Sequence, residues 1–354
     1  MTPQGRIKVL IVDDSAIVRK VLTDALSGER DIEVVGTAPD PYVARDKILS
    51  LNPDVLTLDI EMPRMDGVTF LKKLMHHRPM PVIVISSLGI ASSRTALQAL
   101  EAGAIDVLAK PGGPQSVGEL RLSVASKIRA AGSARLQFCR EVPSRLPEPP
   151  APKPSHTSQA FPSSSVIAIG ASTGGTEAIR SVLAGMPKNC PGVVIAQHIP
   201  AVFSRSFANR LNEFCAIHVR EAKDGDNLEP GLALIAPGNF HMLLRRASSG
   251  YRIEIKDGPL VCFQRPAVDV LFHSVAEAAG PSAAAAILTG MGCDGVQGML
   301  AMKKAGARTI AQSEETCVVF GMPKEAIKAG AIDRILPLSA VPEALLADCM
   351  QCTR

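Results

Sequence analysis

The first 130 residues repeat one pattern: a short, nearly unbroken apolar run, then an amphipathic stretch. Four such runs cover residues 8–13, 55–59, 81–86 and 105–110. Apolar runs without alternation predict strands buried on both faces, as in a parallel sheet covered by helices. The spacing predicts five βα units of a doubly wound domain over residues 7–130. The pattern stops between residues 141 and 162, where seven prolines and several serines cannot build a core. Residues 131–163 therefore read as a semi-rigid linker. It resumes with runs at 165–170, 192–198, 232–236 and 284–289. These predict a second doubly wound α/β domain over residues 164–354. Residues 243–246 and 252–256, parted by Ser248-Ser249-Gly250, predict an antiparallel hairpin within it.

Composition narrows the function classes. The net charge of +4 is spread evenly, and tryptophan is absent. Neither a basic footprint nor a set of stacking platforms for nucleic acid is present. No apolar run reaches the length of a membrane span, and the N-terminus lacks a signal-peptide core. The expected compartment is the cytoplasm, where the eight cysteines are expected as free thiols. The CxxC formed by Cys349 and Cys352 reads as part of a frayed tail. Cys293 receives no role.

The chemistry lies at the strand ends. In an open α/β sheet these ends line the ligand crevice. Asp13 and Asp14 close the first strand, Asp59 the third, Ser86 the fourth and Lys110 the fifth. A single strand-terminal acid can simply cap a helix. Four charged groups on one rim point instead to a hard cation such as Mg²⁺, with Lys110 neutralising an incoming phosphoryl group. Asp59 would be the nucleophile that becomes an aspartyl phosphate.

The segments Val12-Asp13-Asp14-Ser15, Asp59-Ile-Glu-Met-Pro63, Met65-Asp66-Gly67, Ser86 and Lys110-Pro111 resemble receiver domains of bacterial response regulators. The resemblance implies Asp59 as phosphoacceptor and Asp13, Asp14 and Asp59 as metal ligands. It also implies the backbone carbonyl of Glu61 as a further ligand, with Ser86 and Lys110 as phosphoryl contacts. Receivers usually carry an aromatic ring three residues before the lysine, and this chain has Val107.

A second set follows the linker. Gly170-Ala-Ser172-Thr-Gly174 has the G-x-S-x-G spacing after an apolar strand. Ser172 would be exposed at a tight turn, near amides of Thr173 and Gly174 that can stabilise an oxyanion. Such turns also cradle nucleotide phosphates. His198 ends the next strand and can act as base. Asp294, just past another strand, can orient it. Met291 and Gly292 can offer further donors, and His241 can help form the pocket. His218, His241 and His273 are the competitors of His198, and Asp257 and Asp269 are weaker candidates than Asp294. The order Ser, His, Asp differs from that of ordinary α/β-hydrolases.

Five segments carry a second resemblance: Ile169-Gly-Ala-Ser-Thr-Gly-Gly175, Ala196-Gln-His-Ile-Pro200, Ala236-Pro-Gly238, His241-Met242 and Thr289-Gly-Met-Gly-Cys-Asp-Gly295. With a receiver in front, they make the chain similar to the chemotaxis protein-glutamate methylesterases, the CheB family. The resemblance implies a Ser172, His198, Asp294 triad that needs no cofactor for the ester chemistry. It implies hydrolysis of glutamyl methyl esters on methyl-accepting receptors, glutamine deamidation at the same site, and a chemotaxis histidine kinase as phosphodonor. Two other readings stand beside it. A DNA-binding regulator would need a basic helix-turn-helix, and residues 164–354 show none. A non-catalytic adaptor would leave Ser172 as a turn residue.

Overall fold

The computed structural model describes residues 5–87, 89–110, 117–134 and 161–351. Most of the predicted linker, Pro111 and Cys352 lie outside the described residues.

The N-terminal unit comprises β1 (Ile7–Val12), α1 (Ala16–Leu26), β2 (Ile32–Ala38), α2 (Pro41–Leu51), β3 (Val55–Asp59), α3 (Gly67–His77), β4 (Val82–Ser86), α4 (Ile90–Glu101), β5 (Asp106–Ala109) and α5 (Val117–Gly132). Its sheet is parallel, in the order β2-β1-β3-β4-β5. The inner strands β3 and β4 are buried along their whole length, which is why their runs are nearly unbroken in sequence, whereas the edge strand β2 is only partly buried. The strand order reverses at β1/β3, and this places Asp13 beside Asp59.

The C-terminal unit begins with β6 (Val166–Ala171), α6 (Gly175–Ala184), β7 (Gly192–Gln197), α7 (Ala201–Phe214), β8 (His218–Glu221), β9 (Asn227–Leu228), β10 (Leu232–Ile235), β11 (His241–Arg246) and β12 (Tyr251–Lys256). It continues with α8 (Val268–Ala279), β13 (Ala283–Ile287), α9 (Val296–Lys304), β14 (Arg308–Gln312), α10 (Met322–Lys328), β15 (Arg334–Leu336) and α11 (Val341–Gln351). Seven parallel strands lie in the order β15-β14-β13-β6-β7-β10-β8. The hairpin β11/β12 is antiparallel, as its sequence predicts, and gains β9 as a third strand. The chain runs from β6 outward through β7, then returns to the other side of β6 with β13. The switch point therefore lies among β6, β7 and β13, the strands that Ser172, His198 and Asp294 follow.

Glycine permits this arrangement at one crossing. A Cβ on Gly170 in β6 would meet Val268 Cγ1 at 2.3 Å. Without it, the first turn of α8 lies directly over β6. The expected frayed tail is corrected in part. Cys349 lies within α11, fully buried, because α11 packs against β6, β13 and β14.

One apolar cluster runs without a break from the receiver into the C-terminal unit. Across this contact Ser93 Oγ donates to the Val202 carbonyl at 3.0 Å, and Arg210 forms a two-point ion pair with Glu101.

Gly170→Ala is expected to push α8 off β6. Overpacking of this kind costs about 1–3 kcal/mol. Denaturant unfolding should show a lower midpoint at unchanged slope, and wild-type stability would contradict the packing argument.

Candidate functional site

On the receiver rim the carboxylates of Asp13, Asp14 and Asp59 lie within 4.8 Å of one another. Lys110 Nζ sits 2.7 Å from Asp59 Oδ2 and 3.4 Å from Asp13 Oδ2. Asp13 Oδ2 is buried and has no hydrogen bond. Burial pushes Asp59 up to about 6, against the pull of Lys110 and of the Glu61 amide at 3.0 Å. Burial raises Asp13 as well, and Lys110 only partly offsets this. Three crowded carboxylates with one lysine between them fit a hard divalent cation. Ser86 is buried at the end of β4, its Oγ 3.4 Å from the carbonyls of Ser87 and Ser92. The Glu61 carboxylate accepts from the hydroxyls of Ser87 and Ser92, and so clasps the loop after β4. Val107 is buried in β5 among receiver core residues.

The second rim is assembled by strand register. Ala171 pairs with Gln197 in β6/β7, and the His198 amide donates to the Ala171 carbonyl at 3.1 Å. Ser172 and His198 are thus the next residues of two adjacent strands. The Ser172 amide donates to the Thr289 carbonyl at 3.0 Å, which ties the third segment alongside. A Cβ on Gly290 would lie 2.7 Å from Ser172 Cβ, so only glycine allows this approach. Gln197 Nε2 donates to the Ser172 carbonyl at 2.8 Å and braces the turn.

His198 Nε2 lies 2.7 Å from Asp294 Oδ2. The same carboxylate receives the amides of Val268 at 2.7 Å and Asp269 at 2.9 Å. These are the first two amides of α8, whose N-cap Ala267 supplies no side-chain cap. Asp294 therefore caps α8 from another segment, against the positive end of its dipole. Burial opposes its charge, but His198 and the two amides outweigh burial and hold its pKa below the usual carboxylate value. An ionised Asp294 makes Nε2 the protonated nitrogen. Nδ1 is then the basic one, and it is buried without a hydrogen-bond partner.

The donors expected at the serine turn divide into two sets. The amides of Met291 and Gly292 make no hydrogen bond among the described residues. Thr173 and Gly174 face the receiver. Thr173 Oγ1 donates to Asp106 Oδ2 at 2.7 Å, and the Gly174 amide donates to the Ile105 carbonyl at 3.2 Å. Asp106 is itself held by Lys127 at 2.6 Å. Receiver strand β5 thus begins against the turn that carries Ser172. Ser172 is 8% and His198 6% exposed.

Other histidines and acids have structural partners. His241 Nδ1 accepts from the Ala267 amide at 3.3 Å and Nε2 donates to the Pro259 carbonyl at 2.9 Å. It anchors the loop 257–267 beside the site. Asp269 accepts from the Gly298 amide at 2.7 Å and caps α9. Asp257 pairs with Arg265. His218 and His273 are exposed. Sequence reasoning missed Asp106, because nothing local marks a residue that contacts another domain. It also missed the α8 amides, which reach Asp294 only through the crossing at Gly170.

A parallel α/β sheet with a strand-end serine, histidine and aspartate at its switch point defines a serine-hydrolase type of site, here joined to a receiver. Residues 167–345 match the model of the CheB methylesterase family, and residues 9–120 that of the response regulator receiver domain. The chain is 55% identical to a protein-glutamate methylesterase/protein-glutamine glutaminase of Syntrophus aciditrophicus, covering 97% of this chain and 99% of that one. It is 53% identical to the Salmonella typhimurium protein of that description, covering 97% of each. Its C-terminal unit is similar to the Thermotoga maritima CheB methylesterase catalytic domain. That match has 39% identity and a TM-score of 0.51, over 52% of this chain and 97% of that one. The chain belongs to the CheB methylesterase family.

Asp59 yields a test of the acidic rim. Its folded pKa of about 6 stands above the ordinary 3.8. Between those values the folded chain keeps a proton that the unfolded chain has lost, so this group's contribution to stability falls as pH rises from about 4 through 6. Asp59→Asn should stabilise the metal-free protein at pH 8 by on the order of 1–3 kcal/mol, and by almost nothing near pH 4. Denaturant unfolding at both pH values checks this. A destabilised variant at pH 8 would contradict it.

Proposed function

We propose that this chain hydrolyses glutamyl methyl esters on methyl-accepting chemotaxis receptors, under control of phosphorylation at Asp59. The observation that carries the reading is the pairing of the strand ends that bear Ser172 and His198, with His198 Nε2 fixed on Asp294 and the buried Nδ1 left without a hydrogen-bond partner among the described residues. Ser172 Oγ attacks the ester carbonyl while Nδ1 takes its proton. The amides of Met291 and Gly292, joined by Thr173 and Gly174 when the receiver leaves, stabilise the oxyanion. The proton returns to the leaving methoxide, and methanol departs. Water then attacks the acyl-enzyme, with His198 again as base, and releases glutamate. A glutamine side chain follows the same course with ammonia as leaving group, so deamidation belongs to the same site.

The receiver would be phosphorylated at Asp59 by a chemotaxis histidine kinase. A hard divalent cation held by Asp13, Asp14, Asp59 and the Glu61 carbonyl would supply charge neutralisation during that transfer. Ser86 and Lys110 would contact the phosphoryl group. The added charge falls next to the loop clasped by Glu61, and the same loop leads into α4, which rests on α7. Rearrangement there would loosen the receiver from Thr173 and Gly174. No helix among the described residues is long and apolar enough to cross a membrane. The cytoplasm is the proposed compartment, because the receptor segments that this family acts on are cytoplasmic.

The test is methanol release from methyl-labelled receptor membranes. Ser172→Ala, His198→Gln and Asp294→Asn should each lower turnover by about three orders of magnitude or more, since triad members act as a unit. Circular dichroism should show each variant folded. A folded Ser172→Ala variant with full activity would leave the chain a non-catalytic adaptor. Loss on His241→Gln without loss on His198→Gln would move the base to His241.

A further inference from the structure

The turn that carries Ser172 is held one peptide group at a time. The Ser172 amide donates to the Thr289 carbonyl at 3.0 Å. The Ser172 carbonyl accepts from Gln197 Nε2 at 2.8 Å and from the Gly175 amide at 2.7 Å. A trans peptide sets its carbonyl and its N–H in opposite directions, so these bonds also aim the Thr173 amide. The next group, between Thr173 and Gly174, is less constrained by its own chain. Gly174 lies at φ 76°, and without a Cβ it offers little steric resistance to rotation of that group. Two contacts hold it. On one side the Gly174 amide donates to the receiver's Ile105 carbonyl at 3.2 Å. On the other the Thr173 carbonyl accepts from Thr289 Oγ1 at 3.0 Å.

Thr289 is buried, and its own place is fixed. Its amide donates to Gln312 Oε1 at 2.8 Å, and Gln312 Nε2 donates to the Thr316 carbonyl at 2.7 Å. Its hydroxyl accepts from the Val319 amide at 2.9 Å. The single hydroxyl proton goes to the Thr173 carbonyl, with the Val319 carbonyl at 3.2 Å as the longer alternative. We infer that Thr289 is a positioning residue for the oxyanion. Its hydroxyl holds the Thr173 carbonyl, and so keeps the Gly174 amide turned toward the place that Ile105 leaves when the receiver withdraws. This deepens the esterase reading and rests on it. The hydroxyl touches neither the ester nor the triad. It acts through the direction of one N–H, and a misplacement of about 1 Å can cost on the order of 10²-fold in rate. Valine has the shape of threonine, but it would leave the Thr173 carbonyl and the Val319 amide without this partner.

The experiment compares Thr289→Val, Thr289→Ala and Thr289→Ser with wild type. All are full-length proteins with a small phosphodonor and Mg²⁺, and methanol release from methyl-labelled receptor membranes is measured. Valine matches threonine in shape, and alanine differs from serine only by the hydroxyl oxygen, so the two pairs isolate one group. Circular dichroism reports folding, and rates are taken well below each melting temperature. In the valine and alanine variants kcat should fall at least about tenfold, with KM within about twofold of wild type. Serine should recover most of the loss. If valine does not fold, alanine against serine decides. A folded variant without the hydroxyl that keeps the wild-type kcat overturns the inference. A loss confined to KM, or a serine variant as slow as alanine, overturns it too, because packing would then account for Thr289. If valine and alanine both fail to fold while serine folds, the hydroxyl serves stability and the inference falls. A wild type that releases no methanol overturns the esterase reading as well. An active wild type beside unimpaired variants overturns this inference alone.

Discussion

The Asp294 carboxylate holds together the rim that carries Ser172 and His198. It is buried, and an isolated buried carboxylate would be neutral. Three donors keep it charged: the His198 ring and the first two amides of α8. Each donor depends on a different part of the fold. The imidazole comes from the end of β7, the amides from a helix that can approach β6 only across Gly170, and Asp294 itself from the turn after β13. The charge then fixes the imidazole tautomer. Helix capping, sheet order and the orientation of the imidazole are thus one arrangement seen at three scales.

The same rim is shared with the receiver. Its β5 strand begins where the serine turn begins, and Asp106 and Ile105 take up the hydroxyl of Thr173 and the amide of Gly174. In the proposed mechanism those groups would serve a reacting ester oxygen. A donor engaged by a receiver carbonyl cannot serve an oxyanion at the same time. The opposite end of the receiver sheet carries Asp13, Asp59 and Lys110, so the two chemistries lie at opposite ends of β5. Helix α4, with Ser93 and Glu101 touching α7, spans the distance between them.

The strand ends were legible in the sequence because a buried parallel strand is a continuous apolar run, and its last polar residue marks the rim. Asp13, Asp59, Ser86, Ser172 and His198 all follow from that rule. The hairpin was legible from its turn chemistry. Strands β8, β14 and β15 were not. They are three to five residues long, and each contains polar or exposed positions that break the apolar run. The part played by Val268 and Asp269 was hidden because helix amides carry no side-chain signal. His241 looked like a pocket residue, yet both its ring nitrogens are tied to a loop that its local sequence does not reveal.

In the proposed mechanism the receiver's seat on Thr173 and Gly174 sets the rate at Ser172. Its most direct test compares methanol release by three samples at equal concentration. These are the resting full-length protein, the same protein with a small phosphodonor and Mg²⁺, and a fragment beginning near Ser163. The resting protein should be slow, the phosphorylated one faster, and the fragment should exceed the resting rate without phosphodonor. Equal rates in all three, or a folded fragment slower than the resting protein, would contradict it.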